Sequence, residues 1–158
     1  MAVDRVGLMS TIRTCLWMTS GGLEAAKFYV SLIDGSGIEG DFAADAAPMM
    51  VNFHLAGVPY MILNGGPHHA LTPAASIMVM TKDQSETDRL WAALTGDGGS
   101  EGRCGWCVDR FGVSWQIIPE ALPRTVGGSD PAGAKRATDA MIQMGKIDIA
   151  ALEAAYTA

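Results

Sequence analysis

Four small polar side chains stand at matching places in two halves of the chain, and they are the best candidates for a ligand site. Thr14 and Ser76 lie 62 residues apart on two similar strand-like stretches. Gln116 lies on the last predicted strand of the second half, and Asn64 ends the matching strand of the first. Leaving such groups buried without partners would cost roughly 1–3 kcal/mol each, so we expect them to line a pocket. Trp106 is the aromatic residue that best fits the same lining.

The cysteines and histidines do not form a motif with known chemistry. Cys104 and Cys107 have the spacing of a metal or redox pair, but no second pair or histidine follows at zinc-site spacing. His54 could act as a base or as a hydrogen-bonded sheet residue, and packing is the simpler role for Cys15. We expect the adjacent His68 and His69 to be exposed in a loop. The sequence also lacks a glycine-rich dinucleotide or methyl-donor loop after a strand, so we expect no cofactor.

Length and composition predict one globular protein with a small-molecule partner. The 158 residues are 49% hydrophobic and 18% charged, with a net charge of −6. The absence of a basic cluster argues against nucleic acid, and no apolar run is long enough to span a membrane. The start of the chain lacks the features of a signal peptide, and three cysteines suit a reduced, cytoplasmic protein. Residues 1–8 have no periodic pattern and read as a leader, with Met9 as an alternative start.

A repeat organises the rest of the chain. CLWMT at 15–19 and IMVMT at 77–81 each precede a helix with a large apolar pair, Phe28-Tyr29 or Leu90-Trp91. Each strand and helix is followed by a predicted hairpin, which gives an α+β fold of two βαβββ units. The predicted strands cover 11–18, 49–55, 58–64, 75–81, 104–109 and 113–118, and the predicted helices cover 23–33 and 84–94. We expect unit one at about 11–67, unit two at about 75–120, and a curved mixed sheet around a cavity. The alternative is that side chains fill this cavity, and the polar positions that face inward favour a pocket.

The last hairpin has two unlike faces. Val113, Trp115 and Ile117 alternate along its return strand and should pack on a helix. Gln116 points the other way. We predict that Gln116→Leu leaves folding nearly intact and weakens ligand binding.

Gly112 fits the turn of this hairpin, because three-residue hairpin loops usually need one residue with positive φ. We expect Asp109 and Arg110 to form a surface pair at this turn, although an arginine at a pocket mouth could hold a carboxylate.

A helical tail follows the second unit, at about 130–156. Asp130-Pro131 is a typical helix start, and Asp148 can cap a second, shorter helix. Its apolar stripe predicts a packing or dimer surface.

Several motifs resemble one superfamily. TCLWM, the helix with AAKFY, VPYMILNGGP, CGWCVDRFGVSWQIIP and the tail MIQMGKIDIAALEAA are similar to the PhnB-like branch of the glyoxalase/bleomycin-resistance/extradiol-dioxygenase superfamily, which has the vicinal oxygen chelate (VOC) fold. The resemblance covers about 11–156, and similar proteins are often described as demethylubiquinone 3-methyltransferase-like. It implies paired βαβββ units and homodimers.

The resemblance also implies where a metal would bind. Metal-dependent members place ligands on the first and last strand of each unit, which here gives Thr14, Ser76, a residue near Leu63 or Asn64, and Gln116. Only Gln116 matches a usual ligand type, and hydroxyls rarely bind transition metals, so we expect no tight catalytic metal. The function expected is therefore binding of a small organic molecule, with or without a reaction. The alternatives are a metal-dependent isomerase or dioxygenase and a non-catalytic sequestering protein.

Overall fold

The computed structural model describes residues 12–43 and 45–158. The predicted leader at 1–8, the alternative start at Met9 and the first residue of the predicted first strand, Thr11, lie outside the described residues. Within the described part, no helix combines the length and the hydropathy that a membrane span requires. The described residues divide into two compact units, one that ends at Ala70 and one that begins at Leu71.

Each unit has the predicted βαβββ order, so the α+β class is confirmed. The first unit contains β1 (Thr14–Met18), α1 (Gly22–Leu32), β2 (Gly37–Glu39), β3 (Met50–Leu55) and β4 (Val58–Asn64). The second contains β5 (Ile77–Thr81), α2 (Gln84–Thr95), β6 (Ser100–Glu101), β7 (Trp106–Val108) and β8 (Ser114–Pro119). The strand orders are β1-β4-β3-β2 and β5-β8-β7-β6, and in each sheet the first strand runs parallel to the last. Both sheets are therefore mixed, and their topologies match.

In the first unit, α1 covers one face of its sheet. Alternate residues of the strands point to this face and are buried, among them Leu16, Phe53 and Ile62. The Phe53 ring lies 6.2 Å from that of Tyr29 on the helix and 5.4 Å from that of Tyr60 on β4. Apolar burial on one sheet face, with period two along each strand, is what holds this unit together.

In the second unit, α2 covers the matching face. Trp115 and Ile117 of β8 are fully buried there, as predicted, together with Leu90 and Leu94 of the helix. The hydroxyls of Thr81 and Thr87 are both buried and bond to each other at 2.6 Å, so neither polar group is left unsatisfied.

The tail forms three helices, α3 (Ala121–Val126), α4 (Pro131–Gln143) and α5 (Ile149–Thr157). Asp130 and Asp148 cap α4 and α5 through their side chains, as their positions predicted. The cluster packed inside the tail comprises Ile118, Leu122, Ala137, Ile147 and Leu152. Because Ile118 belongs to β8, the tail is packed onto the end of the second sheet.

Three local features differ from the sequence predictions. The first strand of the last hairpin, predicted from Cys104, begins only at Trp106, because Cys104 and Gly105 form a left-handed turn. The short strand β6 and the single-turn helix α3 fall in stretches where no element was predicted, since two to six residues give too little periodicity to detect. The N-cap of α1 is Gly21, next to Ser20, in a left-handed conformation with φ 77°. Instead of a cap side chain, the distant Asn64 accepts a hydrogen bond from Gly22 N.

Candidate functional site

The face of the second sheet that points away from α2 carries most of the predicted site. We call it the far face of the second sheet, with Ser76, Met78, Met80, Trp106 and Gln116 on it. Gln116 is paired on one side with Met78 and on the other with Trp106, so the three side chains form one row across β5, β8 and β7. Met78 is 57% exposed and Met80 45%. Thioethers and an indole ring give this face an adaptable apolar surface.

A hydrogen bond on this face orients its polar groups. Gln116 Nε2 donates to Ser76 Oγ at 2.8 Å, across the 40 residues that separate them. Because the amide uses a donor in this bond, its carbonyl oxygen can accept from a ligand, while the serine hydroxyl can donate its own proton. The far face of the second sheet therefore offers one acceptor and one donor among apolar side chains.

The corresponding face of the first sheet is chemically different. We call it the far face of the first sheet, and Arg13, Cys15, Trp17, Glu39, Asn52, His54 and Met61 share it. Arg13 makes two parallel bonds to Glu39, at 2.9 Å and 2.8 Å, which reach from the edge at β1 to the strand at the opposite edge, β2. The arginine side chain is only 15% exposed. A bidentate, largely buried pair of this kind is a strong and geometrically specific contact.

Two further groups lie on the same face. The side-chain oxygen of Asn52 is buried and has no hydrogen-bond partner among the described residues. Asn52 is paired with Glu39 on one side and with Met61 on the other. His54 lies against its paired residue Gly37, where a Cβ would come within 2.9 Å of the imidazole Cε1. The imidazole is thus packed against the β2 backbone, the role of a sheet residue.

The structure brings Ser76, Trp106 and Gln116 together, but it places Thr14 and Asn64 on the helix side of the first sheet. Thr14 is paired with Tyr60, whose ring stacks on Phe53 in the core under α1. Asn64 bridges backbone groups: its oxygen accepts from Gly22 N at 2.9 Å, and its nitrogen donates to Pro48 O at 2.7 Å. A ligand-binding role for Thr14 and Asn64 stays a prediction.

Thr14 does not correspond to Ser76 in the structure, because the first strands of the two units align one residue differently from the sequence repeat. Met18 and Thr81 are the last residues of β1 and β5, both are buried, and 81 − 18 = 63. The offset of 62 residues taken from the sequence repeat is therefore one residue too small for the first strands of the two units. A slip of one residue exchanges the two faces of a strand. The structural counterpart of Ser76 is Arg13, and that of Thr14 is Ile77.

Asn64 also borders a surface pocket of about 470 Å³ at the start of α1, together with Glu24 and Lys27. A second pocket, of about 490 Å³, lies in the other unit between the first turns of α2 and α5. Both contain carboxylates as well as amines, and neither includes Gln116 or Trp106.

A buried carboxylate supports the hairpin that carries Gln116. Asp109 is 2% exposed and accepts from Phe111 N, Val113 N and the indole nitrogen of Trp115, at 2.8, 3.0 and 2.8 Å. The sequence had suggested a surface ion pair for Asp109 and Arg110. Instead, Arg110 lies 3.7 Å from Asp97 and over the Phe111 ring. Asp109 is a structural residue that sequence reasoning missed, although an aspartate at a hairpin turn is the usual acceptor for such backbone groups.

The cysteines of this unit are not arranged for nucleophilic chemistry. Burial raises the pKa of the Cys107 thiol from 9.0 to about 12, with further contributions from the Asp109 and Glu101 carboxylates. A thiol in such surroundings stays protonated and unreactive near neutral pH. Cys104 lies in the preceding turn, with a left-handed φ of 56°.

The donor set does not fit a transition metal. Among residues 12–43 and 45–158, no three side chains of His, Cys, Asp or Glu come together in a geometry that could hold an ion. The far face of the second sheet offers a hydroxyl, an amide and thioethers, whereas divalent transition metals in proteins favour imidazole, thiolate and carboxylate. Of the four superfamily ligand positions, only Gln116 carries a usual ligand type.

Comparison with known proteins agrees with this fold. A PhnB protein from Bacillus cereus, provisionally named a 3-demethylubiquinone-9 3-methyltransferase, is 27% identical, with a TM-score of 0.60, and the match covers 70% of this chain and 99% of that one. Protein PA1353 from Pseudomonas aeruginosa is 23% identical, with a TM-score of 0.55, over 69% and 96% of the two chains. A glyoxalase/bleomycin resistance protein/dioxygenase family enzyme from Burkholderia phytofirmans PsJN is 7% identical, with a TM-score of 0.50, over 68% and 95%. No curated protein matches the chain.

The family comparison covers both repeated units and ends at β8. The profile described as 3-demethylubiquinone-9 3-methyltransferase matches residues 10–118, more than half of the chain. It does not extend into the tail, where the sequence had suggested further resemblance. With the repeated βαβββ topology and the related solved structures, this match shows that the chain belongs to the 3-demethylubiquinone-9 3-methyltransferase family, a PhnB-like branch of the VOC superfamily.

Proposed function

We propose that this protein binds a small, largely apolar organic molecule through Ser76, Trp106 and Gln116 on the far face of the second sheet. The observation that carries the proposal is the Gln116–Ser76 hydrogen bond, which sets one acceptor and one donor beside the exposed methionines. A few oriented polar groups on an apolar surface are the usual composition of a small-molecule site. The ligand that fits is a flat or aromatic molecule with a carbonyl or amide group.

We propose further that binding needs no tightly held metal. The hydroxyl, amide and thioether groups on this face support that view, because none of them is a strong ligand for a divalent transition ion. We do not propose methyl transfer, since the sequence has no glycine-rich methyl-donor loop after a strand. The superfamily resemblance and the reduced cysteines support a cytosolic homodimer, which light scattering on the purified protein would test.

The direct test is a comparison of benzamide with toluene by ligand-observed NMR titration. Both probes have one aromatic ring, but only benzamide can exchange hydrogen bonds with Gln116 and Ser76. Gln116→Leu should weaken benzamide binding about tenfold, the equivalent of one net hydrogen bond of about 1.4 kcal/mol, and should leave toluene unaffected.

Gln143→Leu is the matched control. Gln143 is exposed on the tail, so the same substitution there should change neither probe. Equal binding of benzamide to wild type and to Gln116→Leu would contradict the proposal. A large loss of stability in Gln116→Leu would instead identify Gln116 as a structural hydrogen-bonding residue.

Metal content decides between this proposal and the metal-dependent alternative. Elemental analysis of untagged protein purified without chelators should give far less than one ion per chain, and divalent ions should not raise the melting temperature. A stoichiometric ion with a clear thermal shift would move the assignment to glyoxalase-type chemistry, because a ligand that binds only the folded state must stabilise it.

A further inference from the structure

The C-terminal tail lies outside the part of the chain that the family profile matches. The family profile ends at residue 118, and the Bacillus cereus chain is matched almost whole by only 70% of this one. Helices α3, α4 and α5 follow that point.

The tail contacts the far face of the second sheet at its end. Ile118 points to the same face as Gln116, two residues further along β8, and it is buried in the core of the tail with Ile147 and Leu152. On this face of β8, the residue next to the half-buried Gln116 is therefore Ile118, which the tail covers.

A short segment of the tail, Met144–Ile149, also holds the turn that precedes Trp106. Cys104 N donates to Met144 O and Gly105 N donates to Gly145 O, both at 2.8 Å. The turn is left-handed at both residues, with φ 56° at Cys104 and 82° at Gly105. A non-glycine residue in this conformation needs support from its surroundings. Here the tail provides part of that support, and Ile117 N of β8, which donates to Gly105 O at 2.8 Å, provides another part.

The other side of the same segment is fixed to α2. Gln84 accepts from Ile149 N at 2.8 Å and donates to Ile147 O at 3.1 Å, so its amide pairs with the tail backbone as a neighbouring strand would. Lys146 adds an ion pair of 2.6 Å to Asp88. The segment is thereby held between α2 and the Cys104–Gly105 turn.

Resting on the proposed function, we infer that the segment Met144–Ile149 is a positioning element for the ligand site: it holds the turn at Cys104 and Gly105 and so fixes Trp106 opposite Gln116. Gln84 and Ile147 are the positioning residues, since they fix the segment and touch no group proposed to contact the ligand. Ile147 reaches the turn directly, where a Cβ on Gly105 would lie 3.4 Å from its Cγ1. Because linkage is reciprocal, a ligand that contacts Trp106 in this position should also stabilise the docked tail.

The test uses the full chain labelled with 5-fluorotryptophan and followed by fluorine NMR, with the four resonances assigned by single Trp→Phe variants. Gln84→Leu removes the hydrogen bonds to Ile147 and Ile149. It should shift or broaden the Trp106 resonance and leave that of Trp17, in the first unit, unchanged. Amide exchange at Cys104 and Gly105 should accelerate by about tenfold or more as the turn opens. Gln143→Leu, the same substitution on an exposed part of the tail, should alter neither readout.

Two results would overturn the inference. One is an unchanged Trp106 resonance in Gln84→Leu despite a lower melting temperature, because the tail would then only add stability. The other is a shifted Trp106 resonance with unchanged benzamide affinity, because the position of Trp106 would then not matter to the site. If Gln84→Leu does not fold, Ile147→Val perturbs the same segment with the loss of one methylene. The fluorine and exchange readouts need no ligand, so failure of benzamide to bind wild type would refute the proposed function alone.

Discussion

The two βαβββ units have the same topology, but the polar side chains on their far faces differ, since they form an ion pair in the first unit and a neutral pair in the second. In the first, a bidentate Arg13–Glu39 pair spans a surface with a buried asparagine oxygen. In the second, the counterpart of Arg13 is Ser76, and its partner is the neutral Gln116. The helix sides differ far less, since both are built from buried apolar residues. The comparison teaches that the helix side fixes the fold and leaves the far side free to diverge.

The hairpins show the same division. The β3–β4 connection is a two-residue turn of Ala56 and Gly57, both with positive φ. The β7–β8 connection is longer and is organised around the buried Asp109. The first hairpin thus depends mainly on its backbone conformation, with one added hydrogen bond from Ala56 N to Ser36 Oγ at 3.0 Å, and the other depends on a single buried side chain. Mutations should affect the two hairpins very differently.

The largest effect should come from Asp109→Ala. It removes the acceptor for two backbone amides and one indole N–H in a buried place, which should lower the free energy of unfolding by about 3 kcal/mol. Urea denaturation of the full chain measures it. Asp109→Asn keeps one oxygen and should cost less. If Asp109→Ala lost under 1 kcal/mol, the β7–β8 hairpin would depend on its backbone as the other does.

The sequence predicted most of what the helix sides contain and little of what distinguishes the far faces. The burial of Trp115 and Ile117 follows from strand alternation and a hairpin turn at Gly112, which are local signals. The Arg13–Glu39 pair joins residues 26 positions apart through the strand order, which no local pattern encodes. Thr14 appeared equivalent to Ser76 because the 62-residue repeat is correct for the helices but one residue short for β1 and β5. Asp109 looked like a surface turn residue because its burial depends on the distant packing of Trp115.

The second-largest effect that we expect is a pH dependence of stability, and it comes from one thiol in the second unit. Cys107 is the structural counterpart of Phe53 in the first sheet. Cys107 pairs with Trp115 across β7 and β8, and Phe53 pairs with Tyr60 across β3 and β4. Its pKa is raised to about 12 in the folded chain. The folded state therefore keeps a proton that the unfolded state loses above pH 9.0. The stabilisation that the protonated Cys107 thiol gives the folded state is fully present below pH 9.0 and is lost as the pH rises towards 12.

The loss should be on the order of 2 kcal/mol near pH 11 for wild type. Cys107→Ala should lack this part of the pH dependence, which urea denaturation at several pH values would show. Alkylation at about pH 8 gives an independent check, since the exposed Cys15 should react and Cys107 should not. Equal modification of both thiols in the folded chain would contradict the assignment.

The third effect tests the ion pair of the first far face. A double-mutant cycle of Arg13→Met, Glu39→Met and the combined variant should give a coupling free energy of about 1–2 kcal/mol, because the pair is bidentate and the arginine largely buried. The double variant should be more stable than either single variant. Each single variant leaves one buried charge unpaired, whereas the double variant leaves none. A coupling near zero would place this pair with ordinary surface ion pairs. Lys135→Met with Asp139→Met, an exposed pair on α4, is the control cycle.

The smallest effect should come from the backbone-dependent hairpin. Ala56 has φ 47° and precedes Gly57 at φ 82°, so the turn requires two residues in the left-handed region. Asparagine tolerates this conformation better than alanine, and Asn-Gly is the preferred pair in two-residue turns. Ala56→Asn should therefore raise the free energy of unfolding by about 0.5–1 kcal/mol. Ala46→Asn, at a loop residue of the same unit that does not have a positive φ, should give no gain. An equal rise in both variants would mean that the gain comes from a general effect of asparagine, and the contrast between a backbone-dependent hairpin and one built on Asp109 would then lose its physical basis.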